Sequence, residues 1–257
     1  MGLTRWWQGL QARREDAAVA RRAIPDDLWK RTLVRYPFLQ RHDPAAAAEL
    51  RRLTSLFLDR KEFSAAGGLR LTDAMVVAIA AQAVLPVLRL GLARYDGFIG
   101  IVVHADQVTT RREVADDDGV VHEYDEVLAG EAVQGGPIML SWRDVRSAGV
   151  AGGSAYNVVI HEFAHVLDFA GGGVDLRAVL EAEFEAFCVR VDAGEETALD
   201  PYGASAVEEF FAVASEGFFV SPDDTRREHP ALYERFAAFY GQDPAAERPP
   251  PRRRMGG

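Results

Sequence analysis

Val158-Val159-Ile160-His161-Glu162-Phe163-Ala164-His165-Val166-Leu167-Asp168-Phe169 places two histidines four residues apart in an otherwise apolar run, with a glutamate directly after the first. Wound as an α-helix, four residues rise about 6 Å and turn about 40° past one full revolution, so His161 and His165 project from one face. Two imidazoles set this way can bind one tetrahedral Zn²⁺. Glu162 lies about 100° around the helix, beside the metal, where its carboxylate can hold the water bound there. A helix of such apolar composition is expected to be buried. Burying two histidines and a glutamate without partners costs on the order of several kcal/mol, and a metal with its water offsets that cost. The stretch reads as the heart of a zinc peptidase.

The rest of the chain limits the alternatives. At 257 residues and 48% hydrophobic content it can bury one substantial core or two small ones. The net charge is −10, and no basic stripe with interleaved aromatics appears, which speaks against nucleic acid as a partner. Cys188 is the sole cysteine, so no internal disulfide can form, in keeping with a reducing cytoplasm. Its neighbours Phe187 and Val189 suggest a packed, inert thiol. The first residues, Met1-Gly2-Leu3-Thr4-Arg5-Trp6-Trp7, lack the continuous apolar core of a signal peptide, and the apolar run Met75–Leu88 is short for a membrane span. A cytoplasmic protein without membrane contact is expected.

Three segments follow from composition: a polar, Arg-rich leader over 1–22, a single domain over 23–245, and a disordered Pro/Arg-rich tail over 246–257. Within the domain, Pro25-Asp26-Asp27 starts one helix, and Asp43-Pro44 opens another through about Phe63. Thr72-Asp73 begins a long apolar helix through about Leu92, bent at Pro86. Strands are expected over Phe98–Val103, near Val120–Tyr124 and over Ile138–Trp142, with an acidic loop, Asp116-Asp117-Asp118, between the first two. Gly171-Gly172-Gly173 ends the motif helix, and further helices follow near 175–192, 205–219 and 230–240. Helices, a small mixed sheet and a buried metal helix make a zincin-like α+β plan. In that plan an edge strand beside the metal, here Ile138–Trp142, pairs with extended peptide.

A catalytic zinc takes three protein ligands and keeps one position open. The only later histidine is His229, far along the chain and next to Pro230. The stretch Val207-Glu208-Glu209-Phe210-Phe211-Ala212-Val213-Ala214-Ser215-Glu216 embeds acidic residues in an apolar helix instead. Glu209 and Glu216, seven apart, share a face, and the pattern does not choose between them. Glu208 and Glu216 are expected to be exposed.

Ile160–Asp168 and Glu209–Glu216 together resemble the Mlc titration factor A family of zinc-dependent peptidases. The resemblance continues in Leu85-Pro86-Val87-Leu88, in Asp96-Gly97-Phe98, in Gly136-Pro137-Ile138 and in Pro230-Ala231-Leu232-Tyr233, and it spans roughly residues 25–245. It implies that Glu209 is the third ligand of one zinc per chain, held with His161 and His165. It points to Tyr202, seven residues before Glu209, as the tyrosine facing the metal, where a phenol can donate to an oxyanion. It also implies a zincin-like fold related to the catalytic domain of anthrax lethal factor.

The activity expected is aminopeptidase-type hydrolysis of peptide bonds by a metal-activated water, with Glu162 as general base. The alternative implied by the family name is a regulatory protein that sequesters a cytoplasmic transcriptional repressor, with peptidase activity secondary. The intact Glu162 argues against a purely structural zinc, which needs no base. Asp168, three residues past His165, is either an orienting partner for a ligand histidine or a surface residue.

Overall fold

A computed structural model of the chain describes residues 2–115, 121–128, 130–132, 136–148, 155–169 and 174–246. The acidic loop 116–118, the glycines 171–173 and the tail from 247 lie outside the described residues, as does the side chain of Asp168.

Ten α-helices, three short 3₁₀ turns and six strands are seen among the described residues. The helix starts follow local chemistry. Asp43 caps α3 (Pro44–Arg60) by accepting the Ala46 N–H, and Thr72 caps α4 (Asp73–Val84) by accepting the Met75 N–H. Ahead of them come α1 (Gly2–Arg21) and α2 (Asp26–Arg35). The leader is thus helical, and it lies on α3 through buried Ala18 and an Arg21–Asp59 ion pair at 3.0 Å.

Two helices stop earlier than the sequence suggests. α3 ends at Arg60, and the next residues form β1 (Glu62–Ala65), which a helical pattern does not announce. α4 ends at Val84 rather than bending at Pro86: Leu85 keeps helical dihedrals, but its N–H turns to the Gln82 carbonyl and Pro86 has no N–H to carry the helical ladder on. Tight turns then lead to β2 (Gly100–His104).

β3 (Val108–Ala115) and β4 (Val121–Leu128) form a separate antiparallel pair in register Val108↔Leu128. β5 (Gly130–Ala132) and β6 (Ile138–Ser141) return to the main sheet, whose order is β1-β2-β6-β5. β1, β2 and β6 run parallel, and β5 runs antiparallel to β6 with Gly130 opposite Leu140. β6 is therefore an inner strand. The edge beside the motif helix belongs to β5, which corrects the expectation for Ile138–Trp142, and Trp142 itself opens the short helix α5 (Trp142–Ser147). The architecture is α+β, mostly helical with a small sheet.

The motif helix α6 (Val158–Phe169) sits between the sheet and the C-terminal helices. Val159, Ile160, Phe163 and Ala164 are fully buried. The Phe163 ring meets Tyr95 at 5.0 Å, Phe57 at 5.7 Å and Phe98 at 5.8 Å, which anchors α6 against α3 and the turns ahead of β2. α7 (Val174–Asp192), α8 (Val207–Val220), α9 (Pro222–Glu228) and α10 (Pro230–Tyr240) follow in the chain. α8 packs along α6, backed by Phe218 against Tyr233 and Tyr240 at 4.9 and 5.5 Å. These two helices build the site. No helix among the described residues is long and apolar enough to cross a membrane.

Candidate metal centre

Asn157 starts α6. Its side-chain oxygen accepts the Ile160 N–H at 3.0 Å, satisfying one of the donors a helix start leaves open. The Asn157 amide nitrogen donates to Gln82 Oε1 at 2.9 Å, and Gln82 donates to the Ala78 carbonyl at 3.0 Å. The start of α6 is thereby tied to α4 through groups that are wholly buried.

From this anchored helix His161 and His165 project together, their Nε2 atoms 3.2 Å apart. Glu209, in the first turn of α8, brings Oε2 to 3.0 Å from His161 Nε2 and 3.5 Å from His165 Nε2. Donors of a tetrahedral zinc with bonds of about 2.0–2.1 Å stand about 3.3 Å apart. The three edges, 3.0, 3.2 and 3.5 Å, match one face of such a tetrahedron. Among the described residues this is the one group of His, Cys, Asp and Glu side chains able to hold a metal ion.

Glu216 completes the surroundings. It is 2% exposed, and its Oε1 lies 2.7 Å from His161 Nδ1 while Oε2 accepts the Asn157 N–H. A carboxylate at Nδ1 holds the proton on that nitrogen and turns the Nε2 lone pair toward the cluster. The expected exposure of Glu216 is thus overturned, and only Glu208 faces solvent. The shared face with Glu209 was the informative signal: both carboxylates reach His161, one on each ring nitrogen. Asn157 directly before an apolar helix, and Gln82 as the lone polar residue in the apolar stretch of α4, were also readable signs of this network.

The electrostatics ask for a cation. Burial opposes charge on His161, yet hydrogen bonds to Glu209 and Glu216, with Glu162 nearby, hold its ring up at about 10. Burial likewise opposes charge on Glu209, but His161 and His165 hold its carboxyl down at about 2. Glu162, 5% exposed, is pushed up to about 7 by burial, with the two imidazoles opposing the rise and Glu209 and Glu216 adding to it. In the metal-free protein a proton on His161 supplies the positive charge that a divalent ion would bring. The donor set and its charge fit a metal.

Tyr202 stands at the open side, 53% exposed, its ring centroid 6.2 Å from that of His161. It is held in a 3₁₀ turn, Pro201–Ser205, where Asp200 accepts its backbone N–H at 2.9 Å. Tyr156, which pattern reading passed over, lies just ahead of α6. Burial and the carboxylates of Asp144, Glu216, Glu162 and Asp200 raise its phenol above the usual range, so it remains a donor. His229 belongs elsewhere: it is buried against Phe187 and Phe210 with Nδ1 2.9 Å from Glu183.

A buried helix carrying paired histidines, with a carboxylate brought from a second helix, is the layout of a metallopeptidase-type protein. The chain belongs to the glucose-regulated metallo-peptidase M90 family, whose model matches residues 10–241. It is similar to Mlc titration factor A of Klebsiella pneumoniae (strain 342), 36% identical over 231 residues covering 84% of this chain and 86% of that protein. The corresponding figures are 37% over 211 residues, 76% and 79%, for Mlc titration factor A of Cronobacter sakazakii. For that of Edwardsiella ictaluri they are 40% over 191 residues, 68% and 72%.

Proposed function

We propose that this protein is a zinc-dependent metallopeptidase, with aminopeptidase-type hydrolysis of peptide bonds, formed by one zincin-like domain over residues 23–245 and acting in the cytoplasm. A kinship of that domain to the catalytic domain of anthrax lethal factor is part of the proposal. The observation that carries it is the triangle of His161, His165 and Glu209 donor atoms with the buried carboxyl of Glu162 alongside.

His161, His165 and Glu209 hold the zinc. When bound, zinc acts as a Lewis acid that makes water nucleophilic near neutral pH and polarises the scissile carbonyl. Glu162 receives the proton of the attacking water on its carboxylate and returns it to the departing amine. A residue in this role works best with a pKa near the operating pH, which is where burial puts it. Glu216 keeps His161 in the Nδ1–H form. Tyr202 donates a hydrogen bond from its phenol to the developing oxyanion from the exposed side of the site. Extended substrate runs along the edge strand β5, whose outer side faces away from β6.

Metal analysis of purified protein, joined to a panel of amino-acid p-nitroanilides, tests this reading. The expected result is one zinc per chain, with turnover that disappears in Glu162→Gln protein while zinc stays bound. Hydrolysis persisting in that variant refutes the assigned base.

The name of the relatives supports a second reading, in which this chain sequesters a transcriptional repressor and peptidase activity is secondary. A pull-down with wild-type and Glu162→Gln protein separates the two, since binding survives loss of the base and catalysis does not.

A further inference from the structure

We propose that Gly130 is a positioning residue for Glu162, and that its missing side chain is what allows the carboxylate to stand beside the histidine pair. The inference rests on the reading of Glu162 as general base. A Cβ placed on Gly130 would lie 2.4 Å from Glu162 Oε1, 2.6 Å from Cδ and 2.6 Å from Cγ. Non-bonded atoms do not approach so closely. Gly130 is not among the glycines with positive φ, so its backbone makes no demand for glycine. The demand is for space.

Neither partner can readily withdraw. β5 is fixed by its pairing with β6, Gly130 opposite Leu140 and Ala132 opposite Ile138, and β6 is paired in turn with β2. α6 is closed in on the residues following Glu162, since Phe163 and Ala164 are fully buried. Rotating the carboxylate about its terminal bond moves Oε1 but leaves Cγ and Cδ in the way. An alanine at 130 therefore forces Glu162 into another rotamer near its helix attachment, which carries the carboxylate away from its place. The three heavy atoms nearest the added Cβ all belong to Glu162, so the general base, and not a metal donor, is the first group the change displaces. The backbone of β5 thus serves as the wall against which the base is set, and this strand's position and the base's position are one geometric fact.

Three variants test it: Gly130→Ala, Glu162→Ala and the double variant. Gly130→Ala is expected to keep its full metal content and a nearly unchanged KM on a hydrolysed p-nitroanilide, while kcat falls about a hundredfold or more, the scale of a lost general base. In chelator-treated protein Gly130→Ala should lower the melting temperature when Glu162 is present. It should not do so in the Glu162→Ala background, where a glycine-to-alanine change at a permissive backbone position ordinarily stabilises. Wild-type kcat in Gly130→Ala, or an equal loss of melting temperature in both backgrounds, overturns the inference. Should Gly130→Ala fail to fold, a folded double variant supports the contact and an unfolded one refutes it. The melting experiment does not depend on catalysis, so it stays decisive even if Glu162→Gln retains turnover and the assignment of the base falls.

Discussion

Replacing Glu162 by glutamine is expected to stabilise the metal-free protein at neutral and alkaline pH while it removes turnover. Burial raises the Glu162 carboxyl from 4.5 to about 7, so the folded state holds this proton more tightly than the unfolded chain does. The stabilisation that comes from the bound proton is complete below about 4.5 and is lost as pH rises to about 7. The difference, 7 − 4.5, is 2.5 pH units, and at 1.36 kcal/mol per unit it amounts to about 3 kcal/mol. Glutamine has nearly the same volume and never ionises, so the variant lacks this decline. Urea denaturation in the presence of chelator, at pH 4.5 and again at pH 8, measures it. The two proteins should be about equally stable at the lower pH, and the variant should lead by about 3 kcal/mol at the higher. Parallel pH profiles would show that Glu162 is already solvated or paired with a charge, and the argument from burial would fail.

Other consequences follow from the same geometry. Glu216→Gln weakens the hold on His161 Nδ1 and should cost about 10–100-fold in metal affinity, read by chelator competition. Tyr202→Phe removes the hydroxyl of a residue that is 53% exposed and keeps its ring, and kcat should drop while metal content stays unchanged. Unchanged kcat in that variant removes Tyr202 from the mechanism. Asn157→Ala deletes both the α6 cap and the bond to Gln82, and should cost about 1–2 kcal/mol in a denaturation experiment.

The sequence made some of this legible for physical reasons that differ from element to element. The i, i+4 histidines in an apolar run define a face without any tertiary information, and the caps at Asp43 and Thr72 mark helix starts through local hydrogen bonds. The seven-residue spacing of Glu209 and Glu216 revealed a common face, but not that both carboxylates meet one imidazole, because that depends on how α8 lies along α6. β1 and β5 are four and three residues long, and their identity as strands comes from β2 and β6 rather than from their own residues. The placement of β6 inside the sheet was hidden for the same reason. Gly130 carries no side-chain signal at all; its importance exists only in the distance between a strand and a helix.

Metal content determined by mass spectrometry on native protein, for wild type, His161→Ala and Glu209→Ala, is the most direct test of the account. One zinc per wild-type chain and loss of that zinc from both variants is the outcome predicted by three donor atoms 3.0–3.5 Å apart. Zinc retained at full content after the removal of either side chain would contradict it.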